Sequence, residues 1–196
     1  MLYKFFVFLS KIFINFLFPY KAYGLENIKK AGNSFIVCSN HVSNIDAAFL
    51  AVNLKGQIHF LGKSELFKNR FSKFLLKKLG VIPISRGKKD FLAILEAEKI
   101  LLLNKILGIF IEGKRSRTGD FLRPKSGASL LAYRTGATIL PVCITPRFKN
   151  LKIFKKTEIV FGEPIFKEDL KIITGSYSEI RNATEFLMRS IKKLRK

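Results

Sequence analysis

A chain of 196 residues that is 48% hydrophobic is long enough to bury one substantial core and too apolar to be disordered. Its 36 lysines and arginines against 14 acidic residues give a formal net charge of +22, which calls for an anionic partner: nucleic acid, a membrane surface or a phosphorylated molecule. Cys38 and Cys143 sit in apolar runs with no disulfide-framework or zinc-site spacing, so a reducing compartment is the default.

The stretch from Leu2 to Tyr20 is rich in phenylalanine, with Phe5, Phe6, Phe8, Phe13, Phe16 and Phe18. Lys4, Lys11 and Asn15 fall on one narrow polar stripe of an otherwise apolar helix, closed by Pro19 and Gly24. A spanning helix wants about 20 uninterrupted apolar residues, and Lys11 breaks this one, so a helix lying in the membrane interface fits better. The alternative is a signal peptide with Ala22-Tyr23-Gly24 as its cleavage site, against which Lys11 also argues. Residues 1–24 are read as a membrane-interfacial helical anchor and residues 25–196 as a single domain.

Phe35 to Cys38 reads as a short buried strand and Asp46 to Leu54 as an apolar helix. Between them lies Asn40-His41-Val42-Ser43-Asn44-Ile45-Asp46. A histidine near its ordinary pKa can take a proton from a hydroxyl when a neighbouring carboxylate fixes its tautomer. On one ideal helix the two residues would point roughly 140° apart. His41 is therefore expected on a loop, with Asp46 in the first helical turn reaching back. Two rival readings stand beside this one. Ser43 and Asp46 match a helix capping box, and Cys38 could serve as a nucleophile with His41 as its base, although three residues along a strand point the other way.

Further along, Lys63 to Lys78 reads as a basic amphipathic helix, and Arg147 to Lys156 repeats the basic-aromatic theme. Gln57–Leu61, Val81–Ser85, Ile106–Ile111, Thr138–Ile144 and Glu158–Phe161 read as strands. Phe91–Asn104, Gly127–Thr135 and Tyr177–Leu194 read as helices. This alternation predicts an α/β fold with a mostly parallel central sheet covered by helices. No RNA-binding signature, zinc-finger spacing or zipper is present, so nucleic acid is not the expected partner.

Loops after strands carry the chemistry of such sheets. Glu112-Gly113-Lys114-Arg115-Ser116-Arg117-Thr118-Gly119 follows the most apolar strand and suits an oxyanion such as phosphate, since guanidinium forks bind it bidentately and glycine admits the backbone. A merely charged turn is the bland alternative. Arg86 shares the parity of Ile82 and Ile84, placing a second cation at the sheet's end.

Four ordered blocks, Asn40-His41-(four)-Asp46, Gly80 to Arg86, Phe110 to Arg117 and Leu140-Pro141-Val142, resemble those of the 1-acylglycerol-3-phosphate acyltransferases of the glycerolipid acyltransferase superfamily. Lys63 to Phe67 and Phe161 to Ile165 are similar to further family passages. The resemblance implies an acyltransferase domain over residues 25–196. In it His41 is the base and Asp46 its orienting acid, while Lys63, Arg86, Glu112, Gly113 and Arg115 form the phosphate pocket. It implies acyl transfer from a thioester, carried by coenzyme A or an acyl carrier protein, to the free hydroxyl of lysophosphatidic acid, giving phosphatidic acid. No cofactor or metal is expected, because a thioester carbonyl is already activated. The expected partners are membrane lipids, the anionic membrane surface and the acyl-thioester donor, at the cytoplasmic face of the inner or plasma membrane. Lys114, Ile111 and Leu140 replace a common threonine, proline and valine, which leaves another lysolipid acceptor, or a non-catalytic membrane-surface protein, as alternatives.

Overall fold

Alternating side chains of Phe35–Ser39 (β2) are apolar toward both faces, and every residue of this strand is buried. A strand of that kind needs cover on both sides. The computed structural model, which describes residues 2–84, 90–147 and 153–196, supplies it. Among these residues seven strands form one sheet: Tyr20–Tyr23 (β1), β2, Ile58–Lys63 (β3), Ile82–Ile84 (β4), Ile106–Phe110 (β5), Thr138–Pro146 (β6) and Thr157–Phe161 (β7). Their spatial order is β1-β7-β6-β2-β5-β3-β4. All neighbours run parallel except β6 and β7, which are antiparallel.

On one face Ile36, Cys38, Leu107 and Ile109 pack beneath Asp90–Leu102 (α5), Gly127–Thr135 (α6) and Tyr177–Lys193 (α7), through residues such as Ala97, Leu131 and Leu187. On the other, Phe35, Val37, Leu140 and Val142 pack beneath Leu2–Leu17 (α1) and Asp46–Asn53 (α3), through Ile14, Phe49 and Leu50. Phe49 and Leu50 are wholly buried, and each such side chain contributes about 1.5–3 kcal/mol of transfer free energy.

Several expectations hold: β2, β5, α6 and α7 fall where the apolar periodicity puts them. Others need correction. The basic stretch from Lys63 is not one helix. Lys63 ends β3, Ser64–Phe67 forms a 3-10 turn, and the helix is only Arg70–Lys78 (α4). Asn69 starts it: its backbone is extended and its side-chain oxygen accepts the Ser72 N–H at 2.6 Å, a capping bond that stops the helix from running further back. Residues 148–152 of the stretch Arg147 to Lys156, and Ser85 at the end of the strand expected over Val81–Ser85, lie outside the described residues. Tyr20–Tyr23, read as the tail of the anchor, forms edge strand β1 against β7, so a division at residue 24 places one strand of the sheet with the first segment. α1 itself is docked by Ile14, which is 1% exposed, and by the Tyr3 hydroxyl, which accepts the Ile58 N–H at 3.1 Å. No described helix is long and apolar enough to cross a membrane.

Candidate active site

β2 ends at the carboxyl edge of the sheet, and the chain turns there through Asn40 and His41 before entering α3. The Asn40 side-chain amide continues the pairing that the backbone gives up. It donates to the Ile144 carbonyl at 2.9 Å and accepts the Ile144 N–H at 2.8 Å, tying the loop to β6. His41 Nδ1 lies 2.8 Å from Asp46 Oδ2. That oxygen also accepts the Val42 and Ser43 N–H groups at 2.7 and 2.8 Å, and Asp46 is wholly buried. An ionised carboxylate can only accept, so the proton sits on Nδ1 and Nε2 keeps its lone pair. Asp46 is the first residue of α3, where the helix dipole favours its charge.

The expected layout of loop histidine and first-turn aspartate is thus formed. The capping box is only half formed. Asp46 takes the Ser43 N–H, but Ser43 Oγ is spent on Ile45 N–H at 3.4 Å, and no side chain caps α3 at Ile45.

The His41 ring lies on Phe110, the last residue of β5, at 3.9 Å between centroids and 11° between planes. Phe60 continues the stack beyond Phe110 at 5.7 Å and 12°. Phe60 is in register with Gly108, and a Cβ on Gly108 would run into the Phe60 ring. The missing side chain is what lets Phe60 lie across β5 and reach Phe110. None of these three neighbours is apparent from the motif spacing, although the shared parity of Gly108 and Phe110 could have suggested one face.

The loop after β5 is laced to the histidine loop by backbone bonds. The Ile111 N–H donates to the Ser39 carbonyl at 2.9 Å and the Ser116 N–H to the His41 carbonyl at 2.8 Å. Gly113 turns the chain at φ +67°, a conformation that other residues adopt only with strain, and its N–H closes on the Phe110 carbonyl at 2.9 Å. Glu112 points inward and is 2% exposed. Burial pushes its carboxyl up to about 7, opposed by donation from the Leu122 backbone N–H; the nearby Asp46 charge pushes it further up, while Lys192 and the His41 backbone N–H pull it down.

Residues 20–145 match the model of the family described as Acyltransferase. The chain is 30% identical over 196 residues to the 1-acyl-sn-glycerol-3-phosphate acyltransferase of Bacillus subtilis (strain 168), spanning 98% of this chain and 96% of that relative. It belongs to the 1-acyl-sn-glycerol-3-phosphate acyltransferase family. The protein of the same name from Helicobacter pylori (strain J99) is 32% identical over 135 residues, 65% of this chain and 56% of its own length. The crystal structure of the 1-acyl-sn-glycerophosphate (LPA) acyltransferase PlsC from Thermotoga maritima superposes with a TM-score of 0.76 at 25% identity, over 98% of this chain and 79% of that one.

In this acyltransferase the expected site residues separate into two groups. His41, Asp46 and Glu112 are brought together: the Asp46 charge acts on Glu112, whose carboxyl takes the His41 backbone N–H. Glu112 is buried behind the loop that carries His41, at 2% exposure. Lys63 and Arg115 are exposed: Lys63 is the last residue of β3 and Arg115 lies in the loop after β5, and these two strands pair side by side. Arg86 lies outside the described residues. Cys38 is no nucleophile: it is wholly buried on the α5 and α7 side, and burial pushes its thiol up to about 12. His59, the other histidine, sits at the opposite end of its strand with Nδ1 on the Gly80 carbonyl at 3.1 Å.

Proposed function

We propose that this enzyme moves a fatty acyl group from an acyl-thioester to the free hydroxyl of lysophosphatidic acid, giving phosphatidic acid. The observation that carries the reading is the 2.8 Å pair of His41 and Asp46 at the sheet edge, with the His41 side chain 17% exposed and so reachable yet largely desolvated. His41 Nε2 takes the hydroxyl proton as the alcohol oxygen attacks the thioester carbonyl, and the imidazolium returns that proton to the departing thiolate. Asp46, fixed by two backbone N–H groups, offsets the transient charge and gains nothing from swinging away. Arg115 and Lys63, together with Arg86, would hold the acceptor's phosphate as charge-assisted pairs, and Gly113 shapes the turn that presents Arg115.

α1 supports delivery of a lipid acceptor from the membrane. Phe5, Phe8 and Phe16 are 54%, 60% and 72% exposed, and Lys4 and Lys11 are exposed beside them. The helix packs on α3, whose first residue is Asp46, so the apolar surface and the base share one face of the sheet. Phe71 and Phe74 of α4, 76% and 58% exposed among lysines, add a second amphipathic surface. The reading places the enzyme on the cytoplasmic face of a membrane, as a peripheral or monotopic protein.

The test is thiol release from a fatty acyl-thioester by the purified protein with lysophosphatidic acid. Wild type releases thiol and forms phosphatidic acid, and His41→Ala does neither while keeping its circular dichroism. No thiol release by wild type with lysophosphatidic acid, in the presence of anionic vesicles, overturns the assignment.

A further inference from the structure

A cavity of about 810 Å³ opens beside the active-site loops, where β6, β7 and β1 lie side by side. Lys21, Arg147, Lys156, Arg195 and Lys196 line it, against the single carboxylate of Glu158. Glu158 is already engaged by the Tyr23 hydroxyl at 3.3 Å. The Tyr23 ring gathers two of the cations: Lys196 Nζ stands 3.4 Å and Lys21 Nζ 4.9 Å from its centre. Its size falls within the range of pockets that enclose small molecules of drug size. Its charge favours a ligand with several negative charges over one with a single phosphate.

The cavity is coupled to the chemistry through two short links. Thr145, on its wall, directly follows Ile144, which the Asn40 amide clamps on both sides next to His41. Arg195, also on its wall, donates to the Gly119 carbonyl at 3.3 Å, in the loop that starts at Glu112. The cavity's strands lie one to three places from β2, a lateral distance of roughly 5–15 Å. An extended pantetheine arm covers that distance.

We propose that this cavity seats the multiply phosphorylated nucleotide end of a coenzyme-type acyl donor, leaving the thioester at the far end of its arm to meet His41. The inference rests on the acyl-transfer reading for its purpose, but the binding it asserts is measurable without catalysis. The full-length K21E/K156E variant reverses two exposed cations that touch neither His41 nor the phosphate loop.

Binding of free coenzyme A and of adenosine 3′,5′-diphosphate is followed by isothermal titration, and thiol release is followed with acyl-coenzyme A and with the short acyl-N-acetylcysteamine thioester. Wild type binds both nucleotides. The variant binds them about tenfold more weakly and shows a KM for acyl-coenzyme A raised by about the same factor, the size of losing one to two charge-assisted phosphate contacts. Its KM for lysophosphatidic acid and its turnover of the N-acetylcysteamine thioester stay as in wild type. Coenzyme A binding that is unchanged in the variant overturns the proposal. So does a defect confined to an acyl carrier protein thioester, or a loss of anionic-vesicle binding with coenzyme affinity intact. Nucleotide binding that depends on Lys21 and Lys156, in a protein that releases no thiol with lysophosphatidic acid, upholds the cavity and removes the acyl-transfer reading instead.

Discussion

The imidazole of His41 rests face to face on Phe110, 3.9 Å between ring centres. In the proposed mechanism that ring becomes an imidazolium during transfer, and the electron-rich face of Phe110 is where a cation is best accommodated. Stacking and the Asp46 bond together hold the ring on two axes: one fixes its plane, the other its rotation within that plane.

Phe110→Leu keeps the apolar bulk and removes the aromatic face. Its kcat is expected to fall about tenfold, equivalent to ~1.4 kcal/mol, with KM for the lysolipid unchanged. Steady-state kinetics at matched thermal stability decide this, and an unaltered kcat means that the stack is packing alone.

Gly108→Ala drives a methyl into the Phe60 ring. Overpacking of this kind costs about 1–3 kcal/mol. The same substitution in a Phe60→Ala background should cost little, because the obstructing ring is gone. A double-mutant cycle by chemical denaturation measures the coupling, and additive costs would count against the close approach.

Asp46→Asn removes the charge that steadies His41 and turns an acceptor toward a group that can no longer be relied on to point Nε2 outward. Activity should drop by about 10²–10⁴, the range of a positioned acid-base contribution. Thiol release checks the loss, and circular dichroism checks that the Val42 and Ser43 N–H contacts still close the turn.

Glu112→Gln replaces a buried carboxyl held up at about 7. A carboxyl raised above its ordinary value, 4.5, favours the fold while protonated, and that contribution fades as pH climbs through the folded value. Wild type should therefore lose thermal stability relative to E112Q between about pH 4.5 and 7, and the gap should level off above that window. Melting curves of the two proteins at half-unit pH steps test it, and parallel curves would reject a raised carboxyl.

Phe5, Phe8 and Phe16 replaced together by serine should release the protein from anionic vesicles in a sedimentation assay. The melting midpoint should hold, since these side chains are largely exposed. Retained vesicle binding would shift the anchor to the basic surface of α4.

The chemistry was more legible in the residue order than the packing around it. A five-residue step between His41 and Asp46 forbids a shared helix and so implies the loop-then-helix arrangement found here. Apolar runs such as Phe35 to Cys38 and Ile106 to Phe110 announce strands covered on both sides. Tyr20–Tyr23 carries no such signal: its identity as a strand comes from its register with Thr157–Val160, a contact between residues more than a hundred positions apart. The direction of Glu112 was likewise hidden, because it lies inside the turn that the Gly113 N–H closes on the Phe110 carbonyl, where strand parity no longer applies. Asn69 shows the opposite case. Asparagine favours the position before a helix, but the amphipathic pattern on either side of Asn69 hid the break from the reading of Lys63 to Lys78 as one helix.

The Ser116 N–H on the His41 carbonyl, and the Ile111 N–H on the Ser39 carbonyl, employ no side chain at all. Ile111 and Ser116 are themselves buried, whereas residues 114, 115 and 117 between and beside them are exposed and take no part in those ties. In the proposed reading, headgroup preference can thus be retuned at residues 114, 115 and 117 by substitution alone, while the proton-abstracting nitrogen stays where it was. The scaffold keeps the reaction constant and leaves the identity of the lipid open to change.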